Sequence, residues 1–276
     1  LDKTNLLITP NAVKAGKLYS VIPSNGSGDC TVVRNTTGAR KNSAGNIVSS
    51  SANIPRINYL TVGGNPFLLV EPQRTNLIAY STDLSVSQWN KNSVLITFNA
   101  GTSPDGLNNA VKIVKNGAAA NVIITYNNAR VLNHSRSIYA KTVSGNGSVS
   151  LLSFNGNTNN LFNLTNEWQL FQLNSYIDTG SDNFYAVDFR SSGTTLTELL
   201  IWQPQAEVGS LASSSIFTNG AAVTRNADVI TSTPPAGTVK ITTTFSNDTT
   251  QVLTTIPATY TVPEGLIKQV LMQNSL

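Results

Sequence analysis

One histidine, His134, and one cysteine, Cys30, are the only side chains of their kind among 276 residues, and that count limits the chemistry this chain can carry. A Ser-His-Asp triad would have to use His134, which lies in Leu132-Asn133-His134-Ser135 with no nucleophile motif beside it. The reading favoured there is a turn residue ahead of a strand. Metal centres built from clustered His and Cys are excluded by number. Cys30, within Gly28-Asp29-Cys30-Thr31-Val32, has no partner for an intrachain disulfide and reads as a small buried strand residue.

Carboxylates are more numerous, at 14. Glycoside hydrolysis needs two of them facing one cleft, and Asp83, Asp105, Asp178, Asp182, Asp188, Glu198 and Glu207 fall in the central region. Spacing alone does not pair any two. Sugar recognition without catalysis needs aromatic platforms beside amides and hydroxyls. The large rings of the central region are Trp89, Tyr126, Tyr139, Phe154, Trp168, Tyr185 and Trp202. Tyr126 beside Asn127-Asn128, and Tyr185 beside Asp182-Asn183, have the polar neighbours of a ligand rim; with Trp89 and Phe154 they are the ligand-binding candidates. Trp168 and Trp202 read as core.

The elements that must position these groups are strands. Helix signals are nearly absent, and short β-branched and aromatic runs are separated by Asn-Gly, Ser-Gly and Pro-Asp-Gly turns. Predicted strands are Val94–Phe98, Ala110–Val114, Val122–Tyr126, Ser135–Thr142, Val149–Phe154, Asn160–Leu164, Trp168–Ser175, Phe184–Phe189 and Leu196–Gln203. So many strands at close spacing imply an antiparallel β-sandwich. Three segments are expected: an irregular N-terminal wrapping or attachment segment over 1–78 with short strands around Lys17–Ile22 and Thr31–Arg34, the sandwich over 79–232, and a small C-terminal β-unit over 233–276 after the Pro234-Pro235 linker. In the last, Thr238–Ser246, Gln251–Val262 and Leu266–Met272 are the strands, too few to be stable without a neighbour.

Charged residues make up 12% of the chain, about half the usual share. A net charge of +4 with scattered Lys and Arg argues against nucleic-acid binding. No apolar run reaches membrane-spanning length and no signal-peptide pattern opens the chain.

Three blocks carry a resemblance. The first runs from Lys17-Leu18-Tyr19-Ser20-Val21-Ile22-Pro23 through Arg34-Asn35-Thr36-Thr37-Gly38-Ala39-Arg40 to Ala52-Asn53-Ile54-Pro55-Arg56 and Glu71-Pro72-Gln73-Arg74-Thr75-Asn76. The second is Ser81-Thr82-Asp83-Leu84-Ser85 with Gln88-Trp89 and Ser103-Pro104-Asp105-Gly106. The third is Trp202-Gln203-Pro204-Gln205-Ala206-Glu207-Val208-Gly209, with Thr224-Arg225-Asn226-Ala227-Asp228. Together the blocks resemble bacteriophage virion appendage proteins of the tail-fibre, spike and receptor-binding type, which carry a jelly-roll, carbohydrate-binding-module-like domain.

That resemblance implies an all-β, galactose-binding-like jelly roll at the extracellular virion surface. It also implies a homotrimer, other virion proteins and host-surface polysaccharide as partners, and adsorption rather than an enzymatic function. A purely structural virion component and a glycan depolymerase are the alternatives. It requires no cofactor; a structural Ca²⁺ is the one it suggests, with Asp105 and Glu207 as candidate ligands by position. Pro204 interrupts the third block, and because proline cannot donate to a ladder, a strand end or bulge is expected there. Arg74 and Asn76 are expected to satisfy backbone groups of the adjoining sandwich.

Overall fold

The computed structural model describes residues 3–118, 121–126, 133–152, 160–177 and 184–274. Among the described residues there is no helix, and so none long and apolar enough to cross a membrane. The chain divides into two compact units, Arg74–Thr224 and the pair of segments Leu1–Gln73 and Arg225–Leu276.

The discontinuous unit holds β1 (Thr4–Lys14), β2 (Lys17–Ile22), β3 (Thr31–Val33), β4 (Gly38–Lys41), β5 (Ile47–Ser50), β6 (Arg56–Tyr59) and β7 (Pro66–Val70). The segment read as irregular holds the two short strands expected in it, β2 and β3, and five more besides. Its hydrophobic residues alternate in β1, where Leu6 and Ile8 are buried while Leu7 between them is not. The intermediate central strands are β8 (Arg74–Asn76), β9 (Asn90–Asn92), β10 (Val94–Thr97), β11 (Val111–Lys115), β12 (Val122–Tyr126), β13 (Asn133–Lys141), β14 (Gly147–Leu151), β15 (Leu161–Leu164), β16 (Gln169–Ile177), β17 (Phe184–Asp188), β18 (Glu198–Val208) and β19 (Val223–Arg225). The discontinuous unit resumes with β20 (Val229–Ser232), β21 (Lys240–Phe245), β22 (Thr250–Leu253), β23 (Tyr260–Thr261) and β24 (Gly265–Gln273).

The two terminal segments share one sheet, ordered β2-β1-β24-β21-β22, with β7 and then β6 attached through β24. The C-terminal strands do not stand as a separate module: β24 pairs with β1 from Thr4↔Gln273 to Ile8↔Val270, and with β7 from Gly265↔Val70 to Ile267↔Leu68. The buried cluster is common to both segments and includes Leu6, Ile8, Leu18, Cys30, Leu68, Ile230, Ile241, Val270 and Met272. A partner within the chain thus covers what three C-terminal strands alone would expose. Cys30 sits just before β3, 5% exposed, and burial followed by the charge of Asp29 pushes its thiol up to about 12. It is a packing residue.

The central unit is a jelly roll, and its pairing order says so. Strands pair as β11 with β18, β12 with β17, β13 with β16, and β14 with β15, an eight-strand hairpin folded on itself. The fold leaves two five-stranded sheets, β10-β11-β18-β13-β16 and β15-β14-β17-β12-β9. Their facing sides enclose Trp89, Ile113, Ile123, Ile138, Val149, Leu151, Tyr185, Val187, Leu199 and Ile201. The all-β jelly-roll expectation holds, and its nine predicted strands all occur, with ends shifted by one to five residues where they differ.

Candidate functional site

Two of the four aromatic candidates belong to the sandwich core. Tyr185 is 0% exposed, and its hydroxyl donates to the Ser137 carbonyl at 2.6 Å. Burial pushes that hydroxyl far above the ordinary tyrosine range. Trp89 meets it edge to face, with centroids 6.1 Å apart, and donates its indole N–H to the Tyr80 carbonyl. Tyr185 points inward from β17 into the core cluster, and the polar neighbours that suggested a rim, Asp182 and Asn183, lie outside the described residues. Neither ring offers a face to a ligand. Tyr126 ends β12 and pairs with Phe184 through the backbone, its side chain lying outside the described residues, as does all of Phe154.

Among the described residues, one group of rings that reaches a surface lies on the outward side of the β10-β11-β18-β13-β16 sheet. Along β16, Phe171 and Leu173 face the core, so Leu170 and Gln172 face out; Leu170, opposite Tyr139, is 44% exposed. Trp168, one step before that strand and in phase with Leu170, is half-buried and donates its indole N–H to the Thr102 carbonyl. The Lys141 ammonium stands 5.6 Å from its ring centroid. Tyr139 packs edge to face on Trp202 at 5.4 Å, and Trp202 on Phe217 at 5.7 Å. Trp202 is nearly covered, whereas Phe217 remains 37% exposed. Trp202, read as core, is buried, though on the outward side of its sheet, whereas Trp168, also read as core, is only half-buried. Phe217 carried no signal at all, since it lies in a segment without strand periodicity.

Beside these rings is a cavity of about 70 Å³ lined by Ser81, Thr82, Leu84, Asp105, Asn109, Val111, Trp202, Gln203 and Phe217. Its shape depends on a bulge in β18. Trp202 pairs with Tyr139 and Gln205 with Ser137, so Gln203 and Pro204 together oppose Ile138 alone. Gln203 has φ 53, which the bulge imposes, and the proline falls where no ladder donor is needed.

Asp105 occupies the Pro-Asp-Gly turn, accepting the Leu107 amide at 2.9 Å, the Ser103 hydroxyl and the Asn109 amide. Glu207 does not join it in the cavity lining. Glu207 is 1% exposed and takes the Ser213 amide and hydroxyl, a short bond from Gln205, and the Arg74 guanidinium at 4.0 Å. Its carboxylate is thus engaged by its own protein partners, which argues against it as a metal ligand. Among the described residues no three His, Cys, Asp or Glu side chains gather as a metal site.

The other carboxylates have local work. Asp188 is bound by Arg190, Glu198 by Lys112 at 2.6 Å, and Asp83 caps the Ser85 amide. Asp178 and Asp182 lie outside the described residues. His134 is not a turn residue; it is fully buried on β13, and its Nε2 accepts from Arg136 Nε at 3.1 Å. Asn76 does satisfy the sandwich backbone, binding the Ile216 carbonyl and the Ile78 and Ala206 amides, while Arg74 turns to Glu207.

No family model and no curated protein matches the sequence. Among solved structures, the chain is similar to the C-terminal family 22 carbohydrate binding module of Clostridium thermocellum Xyn10B, at 15% identity and TM-score 0.35, over 50% of this chain and 96% of that one. A structure described as CBM4 is similar at 17% identity and TM-score 0.32, over 48% of this chain and 99% of that one. The N-terminal CBM22-1-CBM22-2 tandem domain of Paenibacillus barcinonensis Xyn10C is similar at 10% identity and TM-score 0.37, over 74% of this chain and 90% of that one. The jelly-roll assignment rests on the strand pairing rather than on these likenesses.

Proposed function

We propose that the jelly-roll unit binds glycan on the outward face of its β10-β11-β18-β13-β16 sheet, and that the chain is an adsorption module of a virion appendage. The observation that carries the binding reading is the row of outward apolar surface, from Trp168 and Leu170 to Phe217, set beside Lys141 and Gln172. Partly exposed rings flanked by polar side chains suit the apolar face of a pyranose and its surrounding hydroxyls. Virion placement is supported by the three sequence blocks alone. On a homotrimer, repetition of a weak site would raise avidity without new contacts.

The reading is one of binding and not of catalysis. A depolymerase needs two carboxylates on one cleft, and the cavity beside the rings is lined by one, Asp105. Calorimetric titration with bacterial-surface polysaccharide fractions tests the proposal. Trp168→Ala and Phe217→Ala should each lose about tenfold in affinity, near the ~0.5–1.5 kcal/mol of an aromatic contact, with the folded spectrum unchanged. Absence of binding to every fraction would leave the purely structural alternative, and binding unaltered in both variants would overturn the assignment of the site to this face. Release of reducing ends during incubation would establish the depolymerase instead.

A further inference from the structure

Gln203 and Asn109 line one cavity, and each has a buried amide oxygen that no described residue satisfies. Gln203 is 3% exposed; its Nε2 donates to the Ile216 carbonyl at 2.9 Å and to Ser81 Oγ at 3.1 Å. Because the Ile216 carbonyl only accepts, that end of the amide is the nitrogen, and the end left over is the acceptor Oε1. Asn109 Nδ2 donates to Asp105 at 2.9 Å, which orients its amide by the same argument and leaves Oδ1 as the orphan. Asp105 brings the negative charge. Ser103, Leu107 and Asn109 donate to it, and a carboxylate has about four lone-pair sites, so it can accept again.

The hydroxyls of the lining are engaged within the protein. Ser81 Oγ accepts the Thr218 amide as well as Gln203, and Thr82 Oγ1 donates to the Thr218 carbonyl. The cavity of about 70 Å³ therefore offers acceptors, one carboxylate and two neutral amide oxygens, with Trp202 and Phe217 in its wall. A hydroxyl brings one donor and a water two, whereas a primary ammonium brings three, the number that Asp105, Asn109 and Gln203 can take. The carboxylate and the aromatic wall both favour positive charge. Size agrees as well: an ammonium is close to a water, which takes ~30 Å³ in the liquid, and the remaining space takes the carbon that bears it.

We infer that this cavity reads a free amino group, so that the glycan bound on the adjoining face contains an amino sugar with an unsubstituted nitrogen. Its ammonium donates to Asp105, Asn109 Oδ1 and Gln203 Oε1. The pyranose that bears it stays outside, against Phe217, the partly exposed ring at the end of the aromatic row. An N-acetylated sugar has a single N–H and would set its carbonyl against acceptors, so the same cavity rejects it. That the ligand is a sugar rests on the glycan reading; that it carries an amine rests on the cavity.

Two measurements on the full chain test these supports separately. Methylammonium, which carries the recognised group and no sugar, should raise the melting temperature saturably, and more than potassium or tetramethylammonium at equal ionic strength. In calorimetry, a bacterial-surface polysaccharide fraction that binds should lose ~10-fold or more in affinity once its amines are chemically N-acetylated. In Asp105→Asn the ratio between free and acetylated forms should collapse to about one, which a structural role that weakens both forms alike would not produce. Trp168→Ala should instead weaken both forms together. The inference is overturned by methylammonium acting no more than potassium, or by a fraction that binds equally well before and after acetylation. Stabilisation by methylammonium with no fraction bound would uphold the amine site and overturn the glycan reading.

Discussion

Asp228 lies at the centre of a buried charge cluster in the discontinuous unit. Three fully or almost fully buried arginines, Arg34, Arg56 and Arg225, converge on Asp228 and Glu71. Arg34 also donates to the Thr36, Ser50, Ser51 and Ile54 carbonyls, and Arg56 to that of Ala39. Burial would raise the Asp228 carboxyl, but hydrogen bonds and charge from Arg56, then Arg34, and the Glu71 amide outweigh it and hold it below the usual range. A carboxyl depressed on folding contributes stability that is complete above its unfolded value of ~3.9 and is lost as pH falls through the folded value. Thermal melts should therefore be flat near neutrality and decline in acid. Asp228→Asn should cost about 3–5 kcal/mol at pH 7, since arginine charge would be left buried without its partner, and its acid decline should be shallower. An equal melting temperature for variant and wild type at pH 7 would refute this. The sequence displayed Arg34, Arg56, Arg225 and Asp228 inside its recognisable blocks, yet gave no hint that they meet. Residues 194 apart, Arg34 and Asp228, bond only because β3 and β20 pair.

Elements show why parts of the fold were legible and others were not. Strands of the jelly roll alternate cleanly, as in Gln169-Leu170-Phe171-Gln172-Leu173, and a period of two suffices to find them. It does not say which phase faces the core, and that ambiguity sent Trp168 inward and Tyr185 outward in the sequence reading. The bulge at Pro204 was legible because proline has a direct backbone consequence. The strands β4 to β7 were hidden by the Pro, Gly and Asn residues in and around them, which read as connector, and in β6 by burial of an arginine, Arg56, rather than an aliphatic side chain. Gly38 at the start of β4 illustrates that burial. A Cβ there would stand 3.1 Å from Arg56 Cδ, 3.2 Å from Arg34 Nε and 3.3 Å from Arg225 Cδ, so the strand approaches the arginine stems only without a side chain. Gly38→Ala should destabilise by about 1–3 kcal/mol through overpacking, measured as a lower denaturant midpoint with an unchanged slope. A neutral or stabilising result would mean that the arginine stems yield freely.

At the scale of the whole molecule, one unit is continuous in sequence and the other is closed only when both chain ends are present. The central unit, Arg74–Thr224, carries its own core from Ile78 to Ala206. The other needs β24, which lies between β1 and β21 and also takes β7 at its start. Without the second segment, Leu6, Ile8, Leu18 and Leu68 would lose Ile230, Ile241, Ile267, Val270 and Met272 from their cluster. Two edges of β1 and β7 would also be left unpaired, and open edges recruit other chains. A chain ending at residue 224 should accordingly bind a hydrophobic dye and self-associate, while residues 74–224 expressed alone should melt cooperatively with the aromatic circular dichroism of the intact core. The comparison is decisive in both directions. If the chain ending at 224 stays monomeric and dye-free, the N-terminal segment folds without β24; if residues 74–224 fail to melt cooperatively, the jelly roll needs the flanking segments for its own stability.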